Sequence, residues 1–253
     1  MEKEFLADRL RVRIYPDRKS MGEAAAAGIA AAIRRVLAEK ECCNMIFAAA
    51  PSQNEVLAAL AADKTVDFTR INAFHMDEYC GLAPSAPQGF GNFLRAAIFE
   101  KAPFRSVHYL NGNAADIPAE CARYGALLEA FPTDIVCLGI GENGHIAFND
   151  PPVANFHDPV LCKQVALDPV CREQQVHDGC FSVLEQVPTH ALTLTVPALC
   201  RGKEMFCVVP AATKANAVYA TVRGSIGEHG PATVLREHPA AILYLDADSA
   251  AKL

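Results

Sequence analysis

Short apolar runs alternate with longer segments of helix-forming residues along most of this chain. The apolar or alternating runs predict β-strands at residues 11–16, 45–50, 70–76, 106–111, 134–140, 163–167, 191–196, 204–210 and 240–246. The intervening segments predict helices at residues 18–39, 52–62, 89–102, 119–131, 213–224 and 232–239. Strands that alternate with helices are typical of a mostly parallel sheet with helices on both faces. We therefore predict an α/β fold.

Length and composition favour one globular domain. The chain has 253 residues, of which 51% are hydrophobic and 21% charged, values typical of a folded α/β protein. No internal repeat, low-complexity tract or linker divides the sequence, so we expect a single domain over residues 1–253. The net charge of −6 argues against a nucleic-acid partner.

The cysteine pattern and the N-terminus indicate a cytoplasmic protein. None of the ten cysteines forms a C-x-x-C pair, so we expect reduced thiols and no metal site. The first 16 residues are charged and lack the apolar core of a signal peptide. No apolar stretch reaches the roughly 18 residues that a membrane-spanning helix needs. We therefore expect no membrane partner.

Candidate chemistry follows the predicted strands, because ligands of open parallel sheets bind beyond the carboxyl ends of the strands. After residues 45–50, Ser52 and Glu55 have the spacing of a capping box at a helix N-terminus, where an anion can bind. Pro51 has no N–H, and the loop contains no glycine. Ser52 is either an anion ligand or only a helix cap.

Two adjacent carboxylates, Asp77 and Glu78, follow the predicted strand at residues 70–76. Successive side chains of an extended chain point to opposite sides, so only one of the two can enter a given cleft. A carboxylate that is partly removed from water has a raised pKa and can act as a general base. The alternative is a turn with two solvated acids.

The segment LGIGENGHIAFNDPP, residues 138–152, contains glycines spaced as G-x-G-x-x-G. In a dinucleotide-binding site, a crossover helix starts directly after the third glycine, Gly144. Here Pro151 and Pro152 follow within a few residues, so no such helix can form. We interpret the glycines as a turn that presents His145, the one side chain of the segment that titrates near neutrality.

Polar and charged residues surround this turn and follow two later strands. Glu142, Asn143 and Asp150 are the neighbours that can set the tautomer of His145. Arg172 follows residues 163–167, and Lys214 follows residues 204–210 at the start of a predicted helix. A lysine at that end opposes the helix dipole, which indicates an anionic ligand. Arginine and lysine together can hold a phosphate.

Several of these motifs resemble one known family in order. The segments FHMDEYCGL (74–82), YLNGNAADIPAECARY (109–124), GIGENGHIAFNDP (139–151), VPTHALTLTVPAL (187–199) and VVPAATKA (208–215) resemble glucosamine-6-phosphate deaminase, also called glucosamine-6-phosphate isomerase. The similarity extends roughly from residue 10 to residue 246. It implies a Rossmann-like fold and conversion of glucosamine 6-phosphate and water to fructose 6-phosphate and ammonia. It also implies that neither a metal nor an organic cofactor is needed.

The same resemblance assigns roles to individual residues. It makes Asp77 the base that moves a proton between C2 and C1 of the sugar, and His145 the group that assists ring opening. Asn143 and Asp150 match the partners of that histidine. The remaining matches are expected to bind the substrate and its phosphate: Ser52, Glu78, Gly144, Arg172 and Lys214.

This chain also differs from the family pattern. The family's phosphate loop commonly reads T-G-G-T-P, whereas residues 50–54 read APSQN. Asn143 and Asp150 stand where the family often has Asp and Glu. Three alternatives stay open: a deaminase for galactosamine 6-phosphate, a 6-phosphogluconolactonase-type hydrolase, and a sugar-phosphate sensor without turnover. A homo-oligomer is possible.

Overall fold

The computed structural model describes residues 1–253. The apolar runs form the strands of two sheets. In chain order the strands are β1 (Lys3–Ala7), β2 (Leu10–Tyr15), β3 (Cys43–Phe47), β4 (Ile71–His75), β5 (Asp77–Tyr79), β6 (Ser106–His108), β7 (Ile135–Leu138), β8 (Cys162–Ala166), β9 (His190–Leu194), β10 (Glu204–Val209) and β11 (Ala241–Asp246).

The larger sheet has eight strands in the order β1-β2-β11-β10-β7-β3-β4-β6. All neighbours in this sheet are parallel except β1 and β2. The chain runs outward in one direction from β3 through β4 to β6, and in the other direction from β7 through β10 to β11. The strand order therefore reverses between β3 and β7, where a crevice opens at the carboxyl ends of the strands.

The helices cover both faces of this sheet. They are α1 (Arg18–Glu39), α2 (Asn54–Ala62), α3 (Phe90–Leu94), α4 (Ile117–Ala130), α5 (Pro169–His177), α6 (Val196–Cys200) and α7 (Ala215–Arg223). Along β3, Met45 and Phe47 pack into one buried apolar layer while Ile46 packs into the other. This alternation explains why both sides of the central strands are buried and mostly apolar. None of the helices combines the length and the apolar character needed to cross a membrane.

A second, three-stranded antiparallel sheet has the order β5-β9-β8. The predicted strands at residues 163–167 and 191–196 exist, but they belong to this smaller sheet rather than to the parallel one. β5 was not predicted, because three residues are too few for a periodic signal. Its pairing with β9 places Asp77 opposite Thr193 and so positions the acidic dipeptide.

Two predicted helices have a different form. The helix predicted at residues 89–102 is the short α3 followed by a π-helical turn at Arg95–Phe99. The segment at residues 232–239 contains a 3₁₀ helix, Pro231–Arg236, instead of an α-helix. Composition predicts helical geometry in both places, but the packing of the turn decides its hydrogen-bond spacing.

Candidate active site

A cavity lies beyond the carboxyl ends of β3, β7 and β10. Its volume is about 740 Å³, which includes the solvent-filled space at its opening. This is the crevice where the strand order reverses. Four residues predicted from the sequence contribute to its wall, namely Ser52, Asp77, His145 and Lys214. The fold thus brings together side chains that are up to 162 positions apart in the sequence, from Ser52 to Lys214.

Asp77 presents a buried carboxylate to this cavity. Only 6% of the residue is exposed, and no protein group donates a hydrogen bond to its side chain. Burial raises the pKa of Asp77 well above its ordinary value, and the neighbouring charge of Glu78 raises it further. A carboxylate with a raised proton affinity and no protein partner is suited to take a proton from a ligand.

His145 is held by two oxygen acceptors on one ring nitrogen. Its Nδ1 lies 2.7 Å from Asn143 Oδ1 and 2.9 Å from Asp150 Oδ1. Because oxygens of both groups accept hydrogen bonds, these contacts assign the proton of the neutral ring to Nδ1. The lone pair is then on Nε2, which has no protein partner. The ring can accept a proton from a ligand in the cavity.

Asp150 is fully buried behind the histidine. Burial by itself raises the pKa of Asp150, but hydrogen bonds from His145 and Asn143 outweigh burial, so the pKa lies below its ordinary value. Asn143 Nδ2 donates to Asp150 Oδ1 at 2.9 Å, and the N–H of Asp168 donates to Oδ2 at 3.3 Å. An ionised Asp150 stabilises the imidazolium that forms when His145 accepts a proton.

The glycine turn determines where the imidazole lies. Gly141 donates its N–H to the carbonyl of His145 at 2.9 Å, and a Cβ on Gly141 would lie 2.0 Å from His145 Cε1. Gly144 adopts a φ of +85°, which favours glycine. No helix starts after Gly144. The interpretation of the motif as a turn that presents His145 is confirmed, and the dinucleotide interpretation fails.

Lys214 also lines the cavity. It ends the 3₁₀ helix Ala212–Lys214 and is 5% exposed. Burial lowers the pKa of Lys214, whereas the nearby carboxylates of Asp178 and Glu142 raise it to a smaller extent. Ala211 precedes this helix with a φ of 82° and donates its N–H to the Asp246 carboxylate. This anchored, strained turn holds Lys214 at the cavity.

Ser52 lies in the cavity wall, but the predicted capping box does not form. Glu55 accepts a hydrogen bond from Arg18 Nε at 2.7 Å instead of capping the helix. Gln53 Nε2 donates to Ser52 Oγ at 3.1 Å and to the carbonyl of Val208 at 3.2 Å. Because the Ser52 hydroxyl accepts from Gln53, its own proton is free for a ligand.

Comparison with known proteins agrees with this arrangement. The family of glucosamine-6-phosphate isomerases/6-phosphogluconolactonase matches residues 16–244 of the chain. The chain belongs to this enzyme family. Glucosamine-6-phosphate deaminase of Listeria welshimeri is 34% identical over 210 residues, which cover 83% of this chain and 88% of that protein. The deaminase of Bacillus cereus is 33% identical over 217 residues, 86% of this chain and 80% of that protein.

Solved structures of the family share the fold. A monomeric glucosamine-6-phosphate deaminase superimposes with a TM-score of 0.86 at 27% identity, covering 95% of this chain and 98% of the other. The 6-phosphogluconolactonase of Thermotoga maritima gives a TM-score of 0.75 at 20% identity, with 93% and 98% coverage. At 20% identity, the similarity to the lactonase is evidence of a shared fold and not of a shared reaction.

Three residues predicted from the family resemblance lie elsewhere. The Arg172 side chain donates from Nη2 to the carbonyls of Leu184 and Val187, at 2.8 Å each, and does not contribute to the cavity wall. The Nε of Arg172 is buried and has no hydrogen-bond partner. Because the two carbonyls occupy Nη2, a phosphate would have to bind the other N–H groups of the guanidinium or displace these carbonyls.

Glu78 and Gly144 also lie outside the cavity wall. The Glu78 carboxylate accepts from the N–H groups of Tyr79, Phe90 and Gly91 at 2.8 to 3.0 Å, so it anchors the start of α3. Its side chain points away from Asp77, as strand alternation predicts. Gly144 contributes its backbone conformation to the turn.

Replacing Arg172 with alanine is expected to destabilise the fold without weakening substrate binding. The change leaves the carbonyls of Leu184 and Val187 without their donor, which costs about 1 to 3 kcal/mol. We expect a lower urea midpoint and an unchanged KM for sugar phosphates. Lys214→Met is the contrasting variant, because Lys214 lies at the cavity and its loss should raise KM. A large increase in KM for Arg172→Ala would contradict this expectation and would show that Arg172 binds the phosphate.

Sequence reasoning missed five polar residues of the cavity wall. They are Arg18, Gln174, Gln175, Asp178 and Thr213. Arg18 follows the carboxyl end of β2, so the same strand-end rule that selected Asp77 would have found it. The residues of α5 and its end, in contrast, carry no local signal. Their position depends on how α5 packs across the crevice.

Proposed function

We propose that this chain catalyses the isomerising deamination of an amino sugar phosphate, with glucosamine 6-phosphate as the leading substrate and fructose 6-phosphate and ammonia as products. One observation carries the proposal: the unpartnered Asp77 carboxylate and His145, whose Nδ1 is anchored by Asp150, open onto the same cavity. The reaction needs two separate proton-transfer groups of this kind. The deaminases that share a third of the sequence support the same reaction.

His145 acts first in this scheme. Opening the pyranose ring requires that the C1 hydroxyl lose a proton and that the ring oxygen gain one. Nε2 takes the hydroxyl proton and returns it to the ring oxygen as the C1–O5 bond breaks. Ionised Asp150, together with Asn143, stabilises the transient imidazolium from the Nδ1 side.

Asp77 acts on the open chain. Its carboxylate removes the proton from C2 of the aldehyde while O1 takes up a proton from solvent, which yields an enolamine. The same carboxylic acid then delivers its proton to C1, and the C2 amino group releases a proton to solvent as it becomes an imine. The resulting C2 imine adds water and releases ammonia, leaving the ketose. The high proton affinity of buried Asp77 favours abstraction from a carbon acid, because base strength rises with pKa.

The phosphate end of the substrate is assigned to the side of the cavity with Ser52, Lys214 and Arg18. Lys214 supplies a buried positive charge, and the Ser52 hydroxyl supplies a donor. Arg18 also lies at the wall, although Glu55 already neutralises part of its charge. Lys214 is therefore the one cation of this group without an ion pair, whereas the sequence predicted two phosphate-binding cations, Arg172 and Lys214.

Ammonia release is the direct test. The purified protein is incubated with glucosamine 6-phosphate and, in parallel, with galactosamine 6-phosphate, and both ammonia and ketose phosphate are measured. We expect equal amounts of the two products from one of these substrates, and ammonia release that is about 10³-fold slower with Asp77→Asn. Hydrolysis of 6-phosphogluconolactone without any ammonia release would assign the chain to the lactonase branch instead. Tight substrate binding without turnover of any of them would indicate a sensor.

Asp178 is expected to weaken phosphate binding in the wild-type protein. Its carboxylate lies near Lys214 and accepts a hydrogen bond from Gln174 Nε2 at 3.1 Å. A bound phosphate must share Lys214 with this second anion, and the like-charge repulsion amounts to about 1 kcal/mol at a partly solvated site. Asp178→Asn should therefore lower KM for the sugar phosphate about fivefold, with kcat little changed.

The matched control for this prediction is Glu173→Gln. Glu173 is an exposed residue of the same helix, α5, so its replacement changes net charge equally but not the cavity. We expect no change in KM for this control. A higher KM for Asp178→Asn would mean that Asp178 contacts the sugar directly, through a hydroxyl or an ammonium group.

A further inference from the structure

A third potential ligand lies beside the His145–Asp150 pair. The Cys171 side chain, in α5, is 1% exposed and lies beside the Asp150 carboxylate. One donor atom from each of His145, Asp150 and Cys171 lies within 4.8 Å of the other two. An imidazole nitrogen, a carboxylate oxygen and a sulfur thus converge from three segments that are distant in the sequence.

We propose that His145, Asp150 and Cys171 form a Zn²⁺-binding site, and that the bound ion switches off the proton relay of His145. Nitrogen, oxygen and sulfur donors together suit Zn²⁺ and related ions such as Co²⁺, whereas the hard ions Mg²⁺ and Ca²⁺ avoid sulfur. Tetrahedral coordination separates such donor atoms by about 3.3 to 3.8 Å. The three donor atoms of the cluster, which lie within 4.8 Å of one another, are close to that spacing.

The charge balance favours a divalent ion in this buried position. Zn²⁺ binds the thiolate form of Cys171, whose proton goes to solvent, and the carboxylate form of Asp150. Thiolate and carboxylate then cancel the two positive charges of Zn²⁺, so the site buries no net charge.

The inhibitory effect follows from the tautomer of the histidine. A neutral imidazole has one N–H group. When Zn²⁺ takes the lone pair of Nδ1, the ring proton moves to Nε2. The nitrogen that faces the cavity then becomes a donor and can no longer accept the hydroxyl proton of the sugar. This consequence rests on the proposed function, whereas ion binding itself does not.

Metal binding is measured first, without any substrate. The metal-free protein is titrated with Co²⁺, and absorption from thiolate-to-cobalt charge transfer is recorded before and after addition of Zn²⁺. All proteins carry Cys121→Ser, because Cys121 and Cys162 line one surface pocket and their two thiols form a competing site. We expect one Co²⁺ per chain with a charge-transfer band that Zn²⁺ abolishes.

Cys171→Ser and Cys171→Ala are the test variants, and Cys180→Ser is the matched control. Cys180 lies on the adjoining segment, half-buried, and outside the cluster. The two Cys171 variants should lose the band, and at least one of them must fold for the comparison. Removing a ligand should weaken Zn²⁺ binding at least about tenfold, since loss of an outer-shell partner alone costs roughly 10- to 100-fold. The control should retain both the band and the affinity.

Inhibition is measured second, as a fraction of the metal-free rate of each variant. We expect Zn²⁺ to inhibit the Cys121→Ser parent and the Cys180 control, and the Cys171 variants to need at least about tenfold more Zn²⁺. Absence of the band in the parent, or equal zinc sensitivity with and without Cys171, would overturn the proposal. If no amino sugar phosphate is turned over, the Co²⁺ titration still decides the metal site.

Discussion

Asp77→Asn is expected to reduce kcat about 10³-fold, within the range of roughly 10² to 10⁴ that a positioned general base contributes. An amide has nearly the shape of the carboxylate but cannot take the C2 proton. The side chain has no protein hydrogen-bond donor to lose, so the cavity should keep its form and KM should change little. Stopped assays of ammonia release at saturating substrate measure the effect.

Glu78→Gln is the contrasting variant for this prediction. It also removes one carboxylate, from the adjacent residue, but that carboxylate anchors backbone N–H groups at residues 79, 90 and 91. We expect a loss of stability with most of kcat retained. Similar losses of kcat in the two variants would show that Asp77 acts only through local charge and not as the base.

The same Asp77→Asn change is expected to stabilise the folded protein, increasingly so as the pH rises. Burial places the folded-state pKa of Asp77 above its value in the unfolded chain. The folded state therefore binds this proton more tightly, and the stability it contributes below the unfolded pKa is lost as pH rises through the folded pKa. Asp77→Asn removes the titrating carboxyl group, so the variant does not lose this stability as the pH rises.

Thermal unfolding of both proteins between about pH 5 and about pH 8 tests this linkage. The difference in Tm, variant minus wild type, should grow toward higher pH. A variant that is less stable than the wild type at the upper end would contradict burial as the cause of the raised pKa. Together with the kinetic result, the outcome would identify a residue at which stability is given up for activity.

Gly141→Ala is expected to reduce kcat about 10²-fold, with the backbone otherwise intact. The added Cβ would lie 2.0 Å from His145 Cε1 and 2.3 Å from both ring nitrogens, so the imidazole must move by more than an ångström. A misplacement of about 1 Å at a catalytic group costs roughly 10²-fold. Gly141 does not have a positive φ, so alanine adds no backbone strain there.

Gly139→Ala is the matched control from the same turn. Its added Cβ would lie 3.2 Å from Gln53 Nε2 and 3.4 Å from Ser52 Oγ, contacts that a shift of a few tenths of an ångström relieves. We expect at most a severalfold effect on activity. If both variants were equally impaired, general flexibility of the glycine turn, rather than the space beside His145, would be the requirement.

Much of the large sheet was predictable from local pattern, and the reasons are visible in particular strands. β3, β4 and β7 are buried throughout and mostly apolar because helices cover both faces of the sheet. Such runs can be recognised in the sequence. β8 and β9 were predicted as strands, but their membership of a separate antiparallel sheet was not. A run of apolar residues specifies an extended conformation and not the partner with which it pairs.

The candidate site was predictable where its residues follow strands. Asp77, His145, Ser52 and Lys214 satisfy that rule, and all four line the cavity. Arg172 satisfies it as well, yet its guanidinium binds the carbonyls of Leu184 and Val187. Whether a long side chain reaches a cavity or folds back onto its own loop depends on contacts that no sequence motif records.

The sequence by itself determined most strands of the large sheet, the helices α1 and α4, the turn at Gly141 and Gly144, and the family of the chain. These features depend on local conformational preference and on residues close together in the chain. The tertiary structure alone decided that Asp178 lies near Lys214 and that Cys171 lies beside His145 and Asp150. It also decided that the Asp77 carboxylate is buried. The physical reason is that proximity and burial arise from packing between distant segments, which is a property of the whole fold.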